Sequence, residues 1–202
     1  MVSRNIGSLD GHRLSAKYNA LIVEYRERAA VVGEGLTQRV EAMRRDADLS
    51  EVGRLRKITD EWSRAAGESA RLWEADQRAV ADWTGELEAV VLGNPATFDH
   101  AELSSRREAA RFARDLDSDE ALEAYKDAVL QSDTTLMKAI GAAAIKNRWL
   151  DVIDAFGASF DGMSENIDTL VQLYEAAENP FMRSAYYLLM RPIEVDSRAQ
   201  AA

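Results

Sequence analysis

Three features of this 202-residue chain predict an all-α fold. Before residue 92, two long segments carry apolar side chains in narrow stripes, at steps of three and four. Nowhere do Val, Ile, Thr and aromatic residues alternate over five or more positions between turn formers. All three prolines lie after residue 94. The expected architecture is a long N-terminal antiparallel helical hairpin, coiled-coil-like, over 1–92, then a bundle of short helix pairs over 93–192 and a C-terminal tail over 193–202.

The first helix is expected to begin near Gly11 to Leu14. Its stripe runs Leu14, Tyr18, Leu21, Tyr25, Ala29, Val32, Leu36, Val40 and Met43. Gly33 and Gly35 weaken it by about 1 kcal/mol each relative to Ala, which allows a bend. Asp46-Ala47-Asp48-Leu49-Ser50 supplies turn formers, with Ser50 as candidate N-cap. A second stripe follows through Val52, Leu55, Ile58, Trp62, Ala66, Ser69, Trp73, Val80, Trp83, Leu87 and Val91. A narrow stripe on a helix of this length cannot bury itself alone, so the two helices are expected to pack antiparallel across the 46–50 turn.

Gly93-Asn94-Pro95 is the first strong break. Asp99, with Glu102 three residues on, marks the start of a charged helix over His100 to Asp115. Short amphipathic segments follow at 119–131, 134–146, 148–160, 164–178 and 180–190, with Ser118, Ser132 and Ser164 as candidate caps. Asn179 caps the last segment ahead of Pro180, and Pro192 should stop it. Trp149, Val152, Ile153, Phe156 and Phe160 form a broad core-facing stripe, and Ala139, Ala142, Ala143 and Ala144 let a neighbouring helix approach closely. No fixed repeat length is evident.

Composition narrows the function classes. The formal charge is −10, of which residues 1–92 carry −2 and residues 93–202 carry −8. That balance disfavours nucleic acid and anionic membranes as partners. Without cysteine there is no disulfide framework, thiol nucleophile or Cys-ligated zinc. Met1 to Ala20 lacks the apolar core of a signal peptide, and no apolar run approaches the ~18 residues of a membrane span. Neither a signal peptide nor a transmembrane segment is therefore expected.

No catalytic constellation, cofactor site or metal site is evident. His12 and His100 stand beside expected helix starts and outside any zinc-binding spacing. Ser159 lacks the glycine two residues later that a nucleophile elbow needs. Asp115, Asp117 and Asp119 match the first ligand positions of a calcium loop, but Glu120 stands at the turn glycine and Lys126 at the closing carboxylate. An acidic turn favouring the next helix's N-terminus is the better reading. Asp151 and Asp154 read as a solvated acidic face.

Two basic clusters, Arg106-Arg107-Arg111-Arg114 and Arg54-Arg56-Lys57, are interleaved with or followed by acids, so intrahelical ion pairs account for most of them. Trp62 and Trp73 lie eleven residues apart and share a face, with Trp83 displaced by about 60°. Filling the hairpin seam is the favoured role for all three, and a partner-binding ridge is the alternative. Trp62, Trp73, Trp83, Arg107, Arg111 and Arg114 are thus the candidate partner-binding residues. Trp83-Thr84-Gly85 spells the Trp-x-Gly of small secreted helical-hairpin proteins, which carry it in the inter-helix turn instead of inside a helix.

The stretch Ala121-Leu122-Glu123-Ala124-Tyr125, then Ser132-Asp133-Thr134-Thr135-Leu136-Met137-Lys138-Ala139-Ile140-Gly141-Ala142-Ala143-Ala144, then Arg148-Trp149-Leu150-Asp151-Val152-Ile153-Asp154-Ala155-Phe156, resembles small helical proteins encoded among the virion structural genes of tailed phages and prophages of actinobacteria. Those proteins pair an N-terminal helical hairpin with a C-terminal helical segment. In it a D-x-x-L-x-x-A-I-x-x-x-A helix precedes G-W-x-D-V-V-x-A-Y. Here Arg148 replaces the usual Gly, Ile153 the second Val and Phe156 the Tyr. The resemblance covers about 40 residues and consists mostly of core positions. It implies a non-enzymatic structural or assembly role in or near the capsid or head–tail region. Implied partners are other virion or assembly proteins, and exposed parts of the seam favour a homo-oligomer. The alternative is a cytosolic helical adaptor or regulator binding one protein partner.

Overall fold

A computed structural model describes the backbone of residues 6–196 and the side chains of residues 11–195. The described residues are helical with no strand, and the two long N-terminal helices pack together ahead of shorter ones. Helix α1 spans Ile6–Arg45 and α2 Glu51–Leu92. After a 3-10 turn at Pro95–Thr97 come α3 His100–Arg114, α4 Ser118–Leu130, α5 Thr134–Asn147, α6 Leu150–Ser159 and α7 Ser164–Glu178. The chain continues through α8 Phe181–Ser184, a 3-10 turn at Ala185–Tyr187 and a final turn, α9, Ile193–Asp196.

The turn between α1 and α2 is built by local chemistry. Ser50 caps α2, its hydroxyl accepting from the Gly53 N–H at 3.2 Å. Arg54 reaches back from the first turn of α2 and donates to the carbonyls of Met43 at 3.1 Å and Asp46 at 3.0 Å. It thereby satisfies acceptors at the C-terminal end of α1 that have no intrahelical partner. Antiparallel register shows in the cross-pairs Lys17–Glu86, Arg26–Asp76 and Arg39–Glu61, in which one number rises as the other falls. Helix α1 starts at Ile6, about a turn and a half before the expected Gly11.

The chain forms two compact units that do not follow its order: Met1–Lys17 with Val80–Glu178, and Tyr18–Ala79 with Asn179–Ala202. The expected boundary at 92/93 marks the end of α2, whereas each unit takes its own share of the hairpin.

In the first unit, Tyr125, Ile140, Val152, Phe156, Ile167 and Leu170 are fully buried. Phe156 meets Tyr125 edge-on at 6.3 Å and Phe160 at 5.3 Å between ring centroids. Gly141 on α5 makes room for it, since a Cβ there would lie 2.8 Å from the Phe156 ring. Gly11 of α1 plays the same part beneath the buried Asn166 of α7, whose amide a Cβ would overlap.

Acids, not the expected serines, start two of these helices. Asp117 caps α4 in a full capping box with Glu120. Asp133 caps α5, while Ser132 takes a left-handed conformation (φ 57°) that ends α4. Ser164 is the first residue of α7 and not its cap. A carboxylate is the stronger acceptor for helix-start N–H groups and complements the positive end of the dipole. Arg148 is also left-handed (φ 61°) at the C-cap of α5. It ion-pairs with Glu175 and Glu178 of α7.

In the second unit the C-terminal segment lies along the hairpin. Val195 joins Leu36, Val40, Ile58 and Ala65 in one apolar cluster, and Tyr187 joins Ala29 and Leu72 in another. The expected single helix over 180–190 is instead a helical turn and a 3-10 turn, followed by irregular chain. Pro192 accordingly stops no helix but opens α9, its carbonyl accepting from Val195 N–H at 2.9 Å. The tail begins with that turn, and residues 197–202 lie outside the described part.

Gly141→Ala should destabilise the protein by about 1–3 kcal/mol through overpacking against Phe156. That outweighs the roughly 1 kcal/mol gained in helix propensity, and urea unfolding at fixed pH measures it.

Candidate functional site

The buried face of α2 runs through Ile58, Ala65, Ser69, Leu72, Asp76 and Ala79. Ala66 and Trp73 of the expected stripe lie one position off that line and are only half-buried. Val52, also expected there, is 78% exposed. The correction has a physical cause. At this level of the hairpin the seam takes Ala65, Ser69 and Leu72, and the larger indoles of Trp62 and Trp73 stand on the flank. The C-terminal segment covers that flank, with the Tyr187 ring 5.4 Å from Trp73, the Arg183 guanidinium 5.5 Å from Trp73 and the Arg191 guanidinium 5.0 Å from Trp62.

Asp76 is the centre of this arrangement and is wholly buried on α2. Its Oδ1 pairs with Arg183, its Oδ2 accepts from the Tyr187 hydroxyl at 2.7 Å, and Arg26 Nε of α1 stands 3.9 Å away. The Ser69 hydroxyl donates to the Tyr187 carbonyl at 2.5 Å. Burial pushes the Tyr187 phenol above its ordinary value, against the opposing pull of Arg26 and Arg183. Burial likewise lowers Arg183, and repulsion from Arg26 adds to it. A buried carboxylate with two guanidinium partners and a neutral phenol is a structural network, and it ties residues 183 and 187 to the hairpin. Further along, Arg44 grips Glu194 through two hydrogen bonds of 2.6 and 2.9 Å. That bond holds the Glu194 carboxyl below its usual range.

The inward row of this segment leaves an outward one. Phe181, Met182, Tyr186, Leu188, Met190 and Ile193 are all exposed, Met190 to 92%. Beyond the 3-10 turn, residues 188–190 alternate outward, inward and outward, as an extended chain requires.

The first unit holds a groove of about 350 Å³ between α2, α3 and α5. Gly85, Ala89, Ala110, Ala139 and Ala142 form small-residue surface, with Leu92, Phe98 and Leu103 as larger apolar walls. Three cations line it: Arg106, Arg107 and Lys138. Arg106 stacks on Phe98 at 3.6 Å and donates to the Leu92 carbonyl at 3.0 Å. Burial lowers the Lys138 ammonium from its ordinary value, and Arg106 adds to the effect. The groove's one acid, Glu88, accepts from the Tyr174 hydroxyl.

Of the sequence-derived candidates, Trp62 and Trp73 meet at the C-terminal segment, Trp83 is buried in the first unit, and Arg107 borders the groove. Arg111 and Arg114 are exposed on α3. The intrahelical pairs expected for the α3 arginines are not formed among the described residues, whereas Arg56 does reach Asp60 at 4.0 Å. His12 pairs with Glu165 at 3.0 Å on the surface, and His100 is exposed at the start of α3. Asp115 ends α3 while Asp117 and Asp119 begin α4, and no group of His, Asp or Glu suited to a metal ion occurs among the described residues. No helix there is long and apolar enough to cross a membrane. Asp76, Arg183 and the groove went unread in the sequence. The only available signal was Asp76 itself, an acid spaced by sevens with Ser69 and Trp83.

Comparison with known protein families, curated sequences and solved structures finds no match to this chain.

Tyr187→Phe should cost about 1.5–3 kcal/mol, the range for a hydrogen bond to a charged group, while Tyr186→Phe should change little; thermal unfolding separates them. The grip on Glu194 should also depend on pH. Its carboxyl titrates lower when folded than when unfolded, so its contribution is complete above about pH 5 and is lost as pH falls through the folded value. Amide protection across 188–196, taken relative to the intrinsic exchange rate at each pH, should fall on acidification, and Glu194→Gln should remove that pH dependence.

Proposed function

We propose that this chain is a non-enzymatic structural or assembly protein of a tailed-phage virion, acting by protein–protein contact in or near the capsid or head–tail region. The observation that carries the contact reading is the outward row of the C-terminal segment. Six large apolar side chains from Phe181 to Ile193 face solvent, while Arg183 and Tyr187 among them and Glu194 just after them anchor the segment to Asp76, Ser69 and Arg44. Large apolar side chains gathered in the open on one segment mark interaction sites, and anchoring of that segment lowers the entropy lost when a partner orders it. The resemblance over residues 121–156 supports the choice of partner class, namely other virion proteins. Display in many copies would make individually weak contacts sufficient.

The chain should be recovered with purified intact particles by mass spectrometry. A Leu188→Asp, Met190→Asp variant should keep its melting temperature within a few degrees and lose particle association. Absence of the wild-type chain from both mature particles and their assembly precursors overturns the virion role.

A further inference from the structure

We propose that the groove between α2, α3 and α5 is the seat for an acidic amphipathic helix of a partner protein. The inference rests on the reading that this chain works by protein contact, and it names the chemistry of one partner segment.

Three observations carry it. The first is size and lining. Residues 85–92, 103–110 and 135–142 each present about two turns, roughly 10 Å of helix. Between them Gly85, Ala89, Ala110, Ala139 and Ala142 hold back no bulky side chain. Such a floor lets a helix approach closely, with walls at Leu92, Phe98 and Leu103 to receive apolar side chains at i, i+3 or i+4, and i+7.

Charge is the second. The chain carries −10 overall, yet this groove holds three cations against Glu88 alone, whose carboxylate already accepts from Tyr174. Among the described residues no carboxylate pairs with Arg106, Arg107 or Lys138. Arg106 Nε is buried without a hydrogen-bond partner, and the half-buried Lys138 has its ammonium 5.9 Å from the Phe160 ring. Desolvated cations without counter-charge are an incomplete arrangement, and flanking Glu or Asp side chains of a bound helix complete it. In a chain of net charge −10, a groove with three cations and one engaged acid is a local exception that favours an acidic ligand.

The third is access. Gly85, Pro95, Arg107 and Ala110 are exposed, so the groove is open to solvent and not an enclosed cavity.

The test uses two designed 16-residue peptides with Leu at i, i+3, i+4 and i+7, flanked by Glu in one and by Lys in the other, and sodium laurate as a small anionic amphiphile. Fluorescence anisotropy with the full chain should show the Glu peptide bound at least tenfold more tightly than the Lys peptide. Arg107→Glu with Lys138→Glu should reverse that order. Ala142→Trp, which fills the groove without changing charge, should abolish binding of both, and circular dichroism melting of each variant checks folding. Equal binding of the two peptides, no binding of either, or insensitivity to charge reversal overturns the proposal. So does laurate binding that alone depends on Arg107 and Lys138, or a wild-type dimer by sedimentation that charge reversal dissociates, which makes a second copy the occupant. Particle association of the charge-reversed variant distinguishes failure of this site from failure of the contact role itself.

Discussion

Two helices of some forty residues, packed side by side, exclude water from only one line of contact. Every other apolar residue on them needs a third element, and much of this structure follows from how that need is met. Along the second unit the third element is not a helix but the C-terminal segment, whose Tyr187, Leu189 and Val195 pack against the hairpin. The tryptophans at 62 and 73 belong to this arrangement: too large for the seam itself, they flank it and take the arginines of the returning chain on their faces.

Holding an irregular segment in one register needs directional contacts, because apolar burial alone tolerates sliding. Asp76 supplies them. An isolated carboxylate in so dry a place would be strongly disfavoured, and each partner that relieves it comes from elsewhere: Arg26 from α1, Arg183 and Tyr187 from the C-terminal segment. The same residue that would destabilise the hairpin alone therefore selects one placement of residues 183–187. Ser69 and Arg44 repeat the device on either side. With the inward row so fixed, alternation of the extended chain sends Leu188 and Met190 outward, which gives the contact reading its physical basis.

The polar residues of the first unit divide differently. Asp99, Asp117 and Asp133 satisfy helix starts, Arg148 bridges α5 to α7, and Arg54 completes the turn of the hairpin. Once these roles are assigned, the cations of the α2–α3–α5 groove stand out as charges without an internal counterpart. Small residues have two uses here as well. Gly141 receives Phe156, so that α5 and α6 close on one another, whereas Ala139 and Ala142 on the same helix line an open groove that none of the neighbouring helices fills.

Helix content, the 46–50 turn, the break at Gly93 and the boundaries of α3 through α7 to within two residues were legible in the sequence alone. Each depends on neighbours a few positions away: apolar spacing, turn formers, a capping acid. Even the errors there were local, with Ser118 and Ser132 preferred over the adjacent Asp117 and Asp133. Which flank of α2 is covered, and by what, was decided only in three dimensions. Ala65 and Ala66, or Leu72 and Trp73, are consecutive residues on one apolar side, and the choice between them rests on how closely α1 approaches. Asp76 meets Arg183 across 107 residues of chain, and the groove takes its lining from three separate helices. Spacing within one helix carries no information about partners that far away, so the anchored segment and the cationic groove belong to the tertiary structure alone.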